Sequence, residues 1–343
     1  MRRLIPCLAV LAMAAAACGD DGDSFDGKAL NVEKLRDPTV ASARITADFK
    51  VATATGDPVP GLTFPFNFEV YEDGTKVSNA SNKPRIDSNP SNFKVYGLVL
   101  VDLNGGVISK DPTLANTRTA VKAFTSSLIG GGANRLVAVY TFDGSADIKK
   151  LADFTGDAAA LATTIDTGLT CTGTNLCADP SSNLNGAVVM SMTALNAARK
   201  AGMGDNVLTA GILAIFTDGL DRAHRMDNSA AINAVKSSSN TNSVFTVALA
   251  SEQSDANMLK ELGKDGTASA TDIAMLDQAI AKVADRVNGF ANSNYRLQYC
   301  TTKRTGTHRI EIKVNYTDPA KVPYQGFFQG SFKAVDSPTC ELQ

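Results

Sequence analysis

Two stretches constrain this chain more than any other feature. "VYGLVLVD" (residues 95–102) and "LTAGILAIFTD" (208–218) are almost continuously apolar and each ends in an aspartate. A strand with one wet face alternates apolar and polar residues, whereas an unbroken apolar run of this length fits a strand covered on both faces. Such strands belong to parallel sheets with helices packed on either side. The segments between and after them fit that requirement. Val121, Phe124 and Leu128 form one helical stripe that "GGG" (130–132) stops, and "RLVAVYTF" (135–142) is a further strand. "DG" (143–144) suggests a tight hairpin into an edge strand near 147–152. A helix near 157–168 follows, then one carrying Leu184, Ala187, Val188, Ser191, Met192 and Leu195 at three- and four-residue spacing. A helix over 228–238, the strand "SVFTVALA", a short helix near 255–262 and a longer one with Ile273, Leu276, Ile280, Val283 and Val287 complete the alternation. The expected fold class is α/β, a doubly wound and mostly parallel sheet.

The flanks read differently. "RITADFKVA" (43–51) and "FPFNFEVY" (64–71) alternate apolar and polar residues, the second placing Phe64, Phe66, Phe68 and Val70 on one face. From residue 294 the same period returns in "HRIEIKVNY" and "YQGFFQGSFKAV". The α/β unit is therefore expected to be inserted into, or flanked by, a small β-sandwich built from both chain ends. The polar "SNASNKPRIDSNPSN" (78–92) reads as a linker. The expected segments are a leader over 1–17, a flexible tether over 18–37, sandwich strands and linker over 38–91, the α/β unit over 92–290 and returning strands over 291–343.

The leader follows from Arg2 and Arg3, the apolar Leu4–Met13 and the small residues that end in Cys18. "AAAAC" resembles the bacterial lipoprotein box, which implies that Cys18 is freed and acylated. Acyl chains contribute about 0.8 kcal/mol of membrane affinity per buried CH₂, enough for a firm anchor when several are present. Gly19 rather than aspartate follows the cysteine. The resemblance then implies sorting to the outer membrane of a Gram-negative cell envelope. Removing Arg2 and Arg3 takes the formal charge from −2 to −4, which offers no footprint for nucleic acid. With Cys7 in the leader and Cys18 lipidated, four cysteines remain in an exported chain, and an even number argues for disulfides. "CTGTNLC" favours Cys171–Cys177, leaving Cys300–Cys340. The chain-entropy model gives them about 2.4 and 3.9 kcal/mol. Zinc is a poor rival, because His224 and His308 lie far from the cysteines in sequence.

Ligands of open α/β sheets bind beyond the carboxyl ends of the strands. Asp102 and Asp218 both sit at such ends, and Ser182 lies just before the helix beginning near Leu184. Each alone has an ordinary explanation: a turn aspartate, a turn aspartate before Gly219, an N-cap serine worth about 1 kcal/mol. Taken together, "DLNGG", "SNLNGA" and "TDG" resemble the von Willebrand factor type A domain, whose motifs are D-x-S-x-S, T-x-L-x-x-A and T-D-G. The resemblance runs over roughly residues 92–290, and "GDPVPGLTFPFNFEVYEDG" looks like the small β-domain that often precedes such domains in bacterial surface proteins.

The resemblance implies a metal-ion-dependent adhesion site for Mg²⁺ or Mn²⁺, with Asp102, Asn104, Ser182 and Asp218 as ligands. Such hard cations take oxygen ligands and keep several waters. Gly106 stands where the pattern has its second serine, so water would replace that ligand and the affinity would be weak. The implied function is an envelope-anchored adhesion-type module that binds a protein or an extracellular polymer, with no catalytic residues. Two alternatives stay open: a metal-independent scaffold of the same fold, and a Mg²⁺-dependent phosphatase-like enzyme. The second needs another aspartate where Asn104 stands.

Overall fold

A computed structural model describes residues 25, 27–88, 90, 93–132, 134–204, 207–237, 241–249, 255–270 and 276–342. The leader, Cys18 and Ile273 lie outside the described residues.

The α/β unit comprises β7 (Phe93–Asp102), α1 (Gly105–Lys110), α2 (Ala115–Gly130), β8 (Arg135–Phe142), β9 (Lys149–Thr155), α3 (Ala158–Gly168), α4 (Leu184–Ala201), β10 (Leu208–Thr217), α5 (Asn228–Ser237), β11 (Asn242–Leu249), α6 (Ala256–Leu262), β12 (Gly266–Ala270) and α7 (Leu276–Asn292). Its six strands run in the order β12-β11-β10-β7-β8-β9, all parallel except β9, which is antiparallel to β8. Alternate residues of β7 feed two cores. Val99 and Val101 pack with Phe124 of α2, Ile165 of α3 and Val283 of α7, while Leu98 and Leu100 pack with Leu184 of α4, Val235 of α5 and Leu262 of α6. Both faces are covered, which is why β7 is apolar throughout. The chain runs from β7 to β8 on one side and later returns to β10 on the other. The switch point of the sheet therefore lies between the ends of β7 and β10.

The other strands form a second sheet that folds face to face on its own core. They are β1 (Lys28–Lys34), β2 (Thr39–Ala41), β3 (Arg44–Thr53), β4 (Phe68–Glu72), β5 (Thr75–Lys76), β6 (Arg85–Ser88), β13 (Asn294–Cys300), β14 (Thr307–Thr317) and β15 (Pro323–Lys333). Phe49 of β3 lies at the centre of that core, its ring centroid 5.9 Å from Phe68, 5.7 Å from Tyr295 and 5.7 Å from Phe328. The opposite face of β3 carries Asp48, buried and held by Arg36 Nε at 2.7 Å and by Arg296 Nε and Nη2 at 2.6 and 2.9 Å. Strands from before and after the α/β unit pair directly, for β13 is antiparallel to β6 with Tyr295 opposite Ser88. Both disulfides, Cys171–Cys177 and Cys300–Cys340, are formed.

Several sequence expectations are corrected. Residues 28–34, assigned to the tether, form β1, which pairs with β3 and β15. The segment 78–92 is not wholly a linker, because β6 lies inside it. The strand expected over 64–71 begins only at Phe68; residues 64–67 turn, and Phe66 is 86% exposed instead of facing the core. Pro65 removes a ladder donor there, which breaks a pattern that hydrophobicity alone would continue. The turn after β8 is not tight, since Thr141 pairs with Lys149 across an intervening loop. Finally, β12 adds a parallel edge strand beside β11 where the sequence predicts none.

Candidate functional site

The site lies at the switch point, and the structure brings all four sequence candidates together there. Asp102 closes β7, Asp218 follows the last residue of β10, Asn104 caps α1, and Ser182 precedes α4. All four are buried, none more than 2% exposed. Asp102 Oδ2 accepts from the hydroxyls of Thr217 (2.7 Å) and Ser182 (3.1 Å), and Oδ1 accepts from Asn104 N–H (3.0 Å). Ser182 thus spends its hydroxyl on Asp102, and the cap position of α4 falls to Asn183, whose side chain makes no capping bond.

Asn104 defines the chemistry. Its Oδ1 accepts from Val107 N–H at 3.0 Å, which caps α1 and fixes the amide's orientation. The nitrogen Nδ2 is thereby turned inward. It donates to Asp102 Oδ2 at 3.0 Å and to Asp218 Oδ1 at 3.1 Å, bridging the two carboxylates. Gly106 stands over the same point: a Cβ there would lie 2.6 Å from Asp218 Oδ2, 2.9 Å from Asn104 Oδ1 and 3.7 Å from Arg222 Nη1. No side chain fits at Gly106 unless the Asp218 carboxylate moves.

These contacts test the fit of a divalent cation. The cluster is rich in oxygen, as a hard cation requires. But Asp102 Oδ2 already accepts three hydrogen bonds, and Asn104 presents hydrogens rather than its oxygen. Among the described residues no third carboxylate, histidine or cysteine joins the two acids to complete a metal-holding group. As arranged, the two acids share the Asn104 amide hydrogens. The amide oxygen expected to be a ligand is committed to the helix cap.

Sequence reasoning missed three contributors. Thr217 makes the shortest bond to Asp102. Asp143, fully buried after β8, accepts from Asp179 N–H (3.1 Å), Ser145 N–H (2.8 Å) and Lys149 Nζ (3.1 Å), which holds the loop that delivers Ser182. Asp221 accepts from Asn185 N–H at 3.1 Å at the start of α4. "TFDG" carried a signal for Asp143, because it closes a strand just as Asp102 does.

Burial, and next the neighbouring Asp218 charge, push the Asp102 carboxyl up to about 8, against the opposing bonds from Thr217, Asn104 and Ser182. An unfolded aspartate titrates near 3.9. The folded state therefore binds more protons than the unfolded chain from about pH 4 to about pH 8, and this group's contribution falls as pH rises through that window. It is fully present below about pH 4 and lost above about pH 8. In denaturant unfolding, the stability of the native protein relative to Asp102→Asn should be greater near pH 5 than near pH 8. A difference independent of pH would show that Asp102 titrates normally.

No family model and no curated protein sequence matches this chain. Solved structures are similar to it. One is a von Willebrand factor type A protein from Catenulispora acidiphila, at 10% identity over 92% of this chain and 76% of that one, TM-score 0.45. Another is the vWF domain of the type V pili tip protein Mfa5 from Porphyromonas gingivalis, at 13% identity over 57% of this chain and 95% of that one, TM-score 0.41. A third is proximal thread matrix protein 1 from the mussel byssus with a zinc-occupied MIDAS motif, at 15% identity, TM-score 0.44; 57% of this chain matches 48% of that one.

Proposed function

We propose that this chain is an exported, envelope-anchored binding module of the von Willebrand factor type A kind. It engages a protein or extracellular-polymer partner at the carboxyl edge of its parallel sheet, and it does so without a divalent ion. Asn104 carries the reading. Its amide hydrogens lie between the two carboxylates, so the chain itself supplies the positive hydrogens that a cation would bring. The partner then meets the loops that cover the buried Asn104, Ser182 and Asp218, which this network holds in place, with Arg222 near Gly106.

Thermal melting in Mg²⁺ and Mn²⁺ tests this. A ligand that binds only the folded state adds about 2.7 kcal/mol at a hundredfold excess over Kd. Millimolar metal should leave Tm unchanged, and EDTA should leave partner capture unchanged. A rise in Tm that Asp218→Ala abolishes would overturn the metal-independent reading and restore the cation to the acid pair. Gly106→Ser, which would restore the serine that the pattern has at this position, is expected to destabilise, because its Cβ collides with the Asp218 carboxylate.

The anchor belongs to the same proposal and rests on "AAAAC". No helix among the described residues is long and apolar enough to cross a membrane. Fractionation should find the native protein with membranes, and Cys18→Ser either released or unprocessed. A fully processed, freely soluble native protein would contradict the lipid at Cys18.

A further inference from the structure

The two halves of the molecule also meet at the amino-terminal edge of the parallel sheet, the end remote from Asp102. They leave a cavity of about 240 Å³ there. Its walls come from the starts of β7, β10 and β11, the ends of α4 and α7, and from β1 and β3. Phe93, Ile212 and Phe290 supply apolar wall, while Lys50, Arg199 and Glu33 supply charge.

Lys50 brings its charge to the aromatic wall of this cavity. It follows Asp48 on the face of β3 that points away from the sandwich core, but Asp48 is already satisfied by Arg36 and Arg296. Among the described residues the Lys50 ammonium has no ion pair; it stands over the ring of Phe290, 4.6 Å from its centroid. Burial lowers its pKa, against the opposing pull of Asp265 and of Glu33, its cross-strand neighbour on β1. Arg199 reaches the same cavity and bonds the backbone oxygen of Thr209 through Nη1 at 3.1 Å, while its buried Nε has no partner. Of the charged residues that line the cavity, the cations Lys34, Lys50 and Arg199 face the acid Glu33, while Lys264 and Asp265 pair with each other nearby. Three positive charges against one negative leave an excess of two in the lining, and one of the three, Lys34, pairs with Asp37.

We infer that this cavity is a second ligand site, which takes a small organic carboxylate with its anionic end on Lys50 and Arg199 and its apolar body against Phe93 and Phe290. The class follows from charge and size together. A bare inorganic anion would leave the aromatic walls uncovered. Drug-sized ligands occupy roughly 300–1,000 Å³, and a cavity of about 150 Å³ holds benzene, so 240 Å³ suits an aromatic or branched monocarboxylate. An occupant would touch strands of the sandwich and of the α/β unit at once, and so brace one against the other.

Benzoate is the probe, and benzamide is its neutral isostere. In low-chloride buffer the full chain, oxidised at both disulfides, should gain about 2–3 °C in Tm at about 10 mM benzoate if Kd is near 1 mM. Benzamide should give no gain. Lys50→Met should lose the benzoate response while keeping or raising the basal Tm, because an unpaired cation has been removed from a poorly hydrated place. If that variant does not fold, Arg199→Gln serves, with a weakened response expected. The site is refuted if benzoate produces no shift, if benzamide matches it, or if folded Lys50→Met responds as the native protein does.

Discussion

Asn104→Asp should cost about 3–5 kcal/mol near pH 8 without divalent metal, the range seen when a buried charged arrangement loses its partner. The change is nearly isosteric, and the new side chain can still accept from Val107 N–H and cap α1. What changes is the inward atom. A nitrogen donating to Asp102 Oδ2 at 3.0 Å and Asp218 Oδ1 at 3.1 Å becomes an oxygen facing two oxygens. Two unit charges about 3 Å apart repel by about 5 kcal/mol at an effective dielectric of 20, so the variant must take up a proton or open the loop. Two further readouts identify the cause. The deficit should shrink near pH 5, where the extra carboxyl protonates. It should also shrink in millimolar Mn²⁺ or Mg²⁺, because three carboxylates beside two hydroxyls form an oxygen cage that the native protein lacks. A variant within about 1 kcal/mol of native in EDTA near pH 8 would show that the Asn104 amide does not bridge the acids.

Arg296→Met should be of similar size and act in the other half of the molecule. Arg296 is 8% exposed and grips Asp48, itself 1% exposed, through Nε and Nη2. Without it Asp48 keeps only Arg36, and a buried carboxylate that loses one of two cations costs about 3–5 kcal/mol. The double variant Asp48→Leu/Arg296→Met should recover most of that loss, because well-packed apolar residues often replace a buried ion pair without net cost. Denaturant unfolding of the single and double variants decides the matter. Equal losses in both would mean that Arg296 matters for its packing and not for its charge.

The elements legible in the sequence were those whose burial is set by side chains. Both faces of β7 and β10 are covered, so their apolar runs announced them, and the aspartates closing them led to the site. What stayed hidden depends on backbone pairing or on atom orientation. In β1, "KALNVEK" buries only Leu30; it belongs to the fold through its ladders, with Val32 opposite Val51 and Lys28 opposite Tyr324. "GTASA" of β12 is similarly bland and pairs with β11 as an edge strand. Phe66 misled in the opposite sense, since its place in an alternating run promised burial that the turn at 64–67 denies. At the site, residue type could not say which end of Asn104 faces inward. An amide carries both a donor and an acceptor, and the helix cap at Val107, a feature of the folded backbone, makes the choice.

The pairing of β6 with β13 bears on how the chain reaches this state. Ser88 and Tyr295 are cross-strand neighbours, yet the whole α/β unit separates them along the chain. If that intervening segment were unstructured, bringing its ends together would cost about 4–5 kcal/mol in loop entropy beyond a constant term. Once folded, the unit delivers both ends already close together, since β6 runs in just before β7 and β13 leaves directly after α7. The α/β unit thus acts as a template for the sandwich. Loosening it anywhere lengthens the effective loop and weakens β6–β13, so damage in the unit's own core is felt in a sheet whose contacts are untouched.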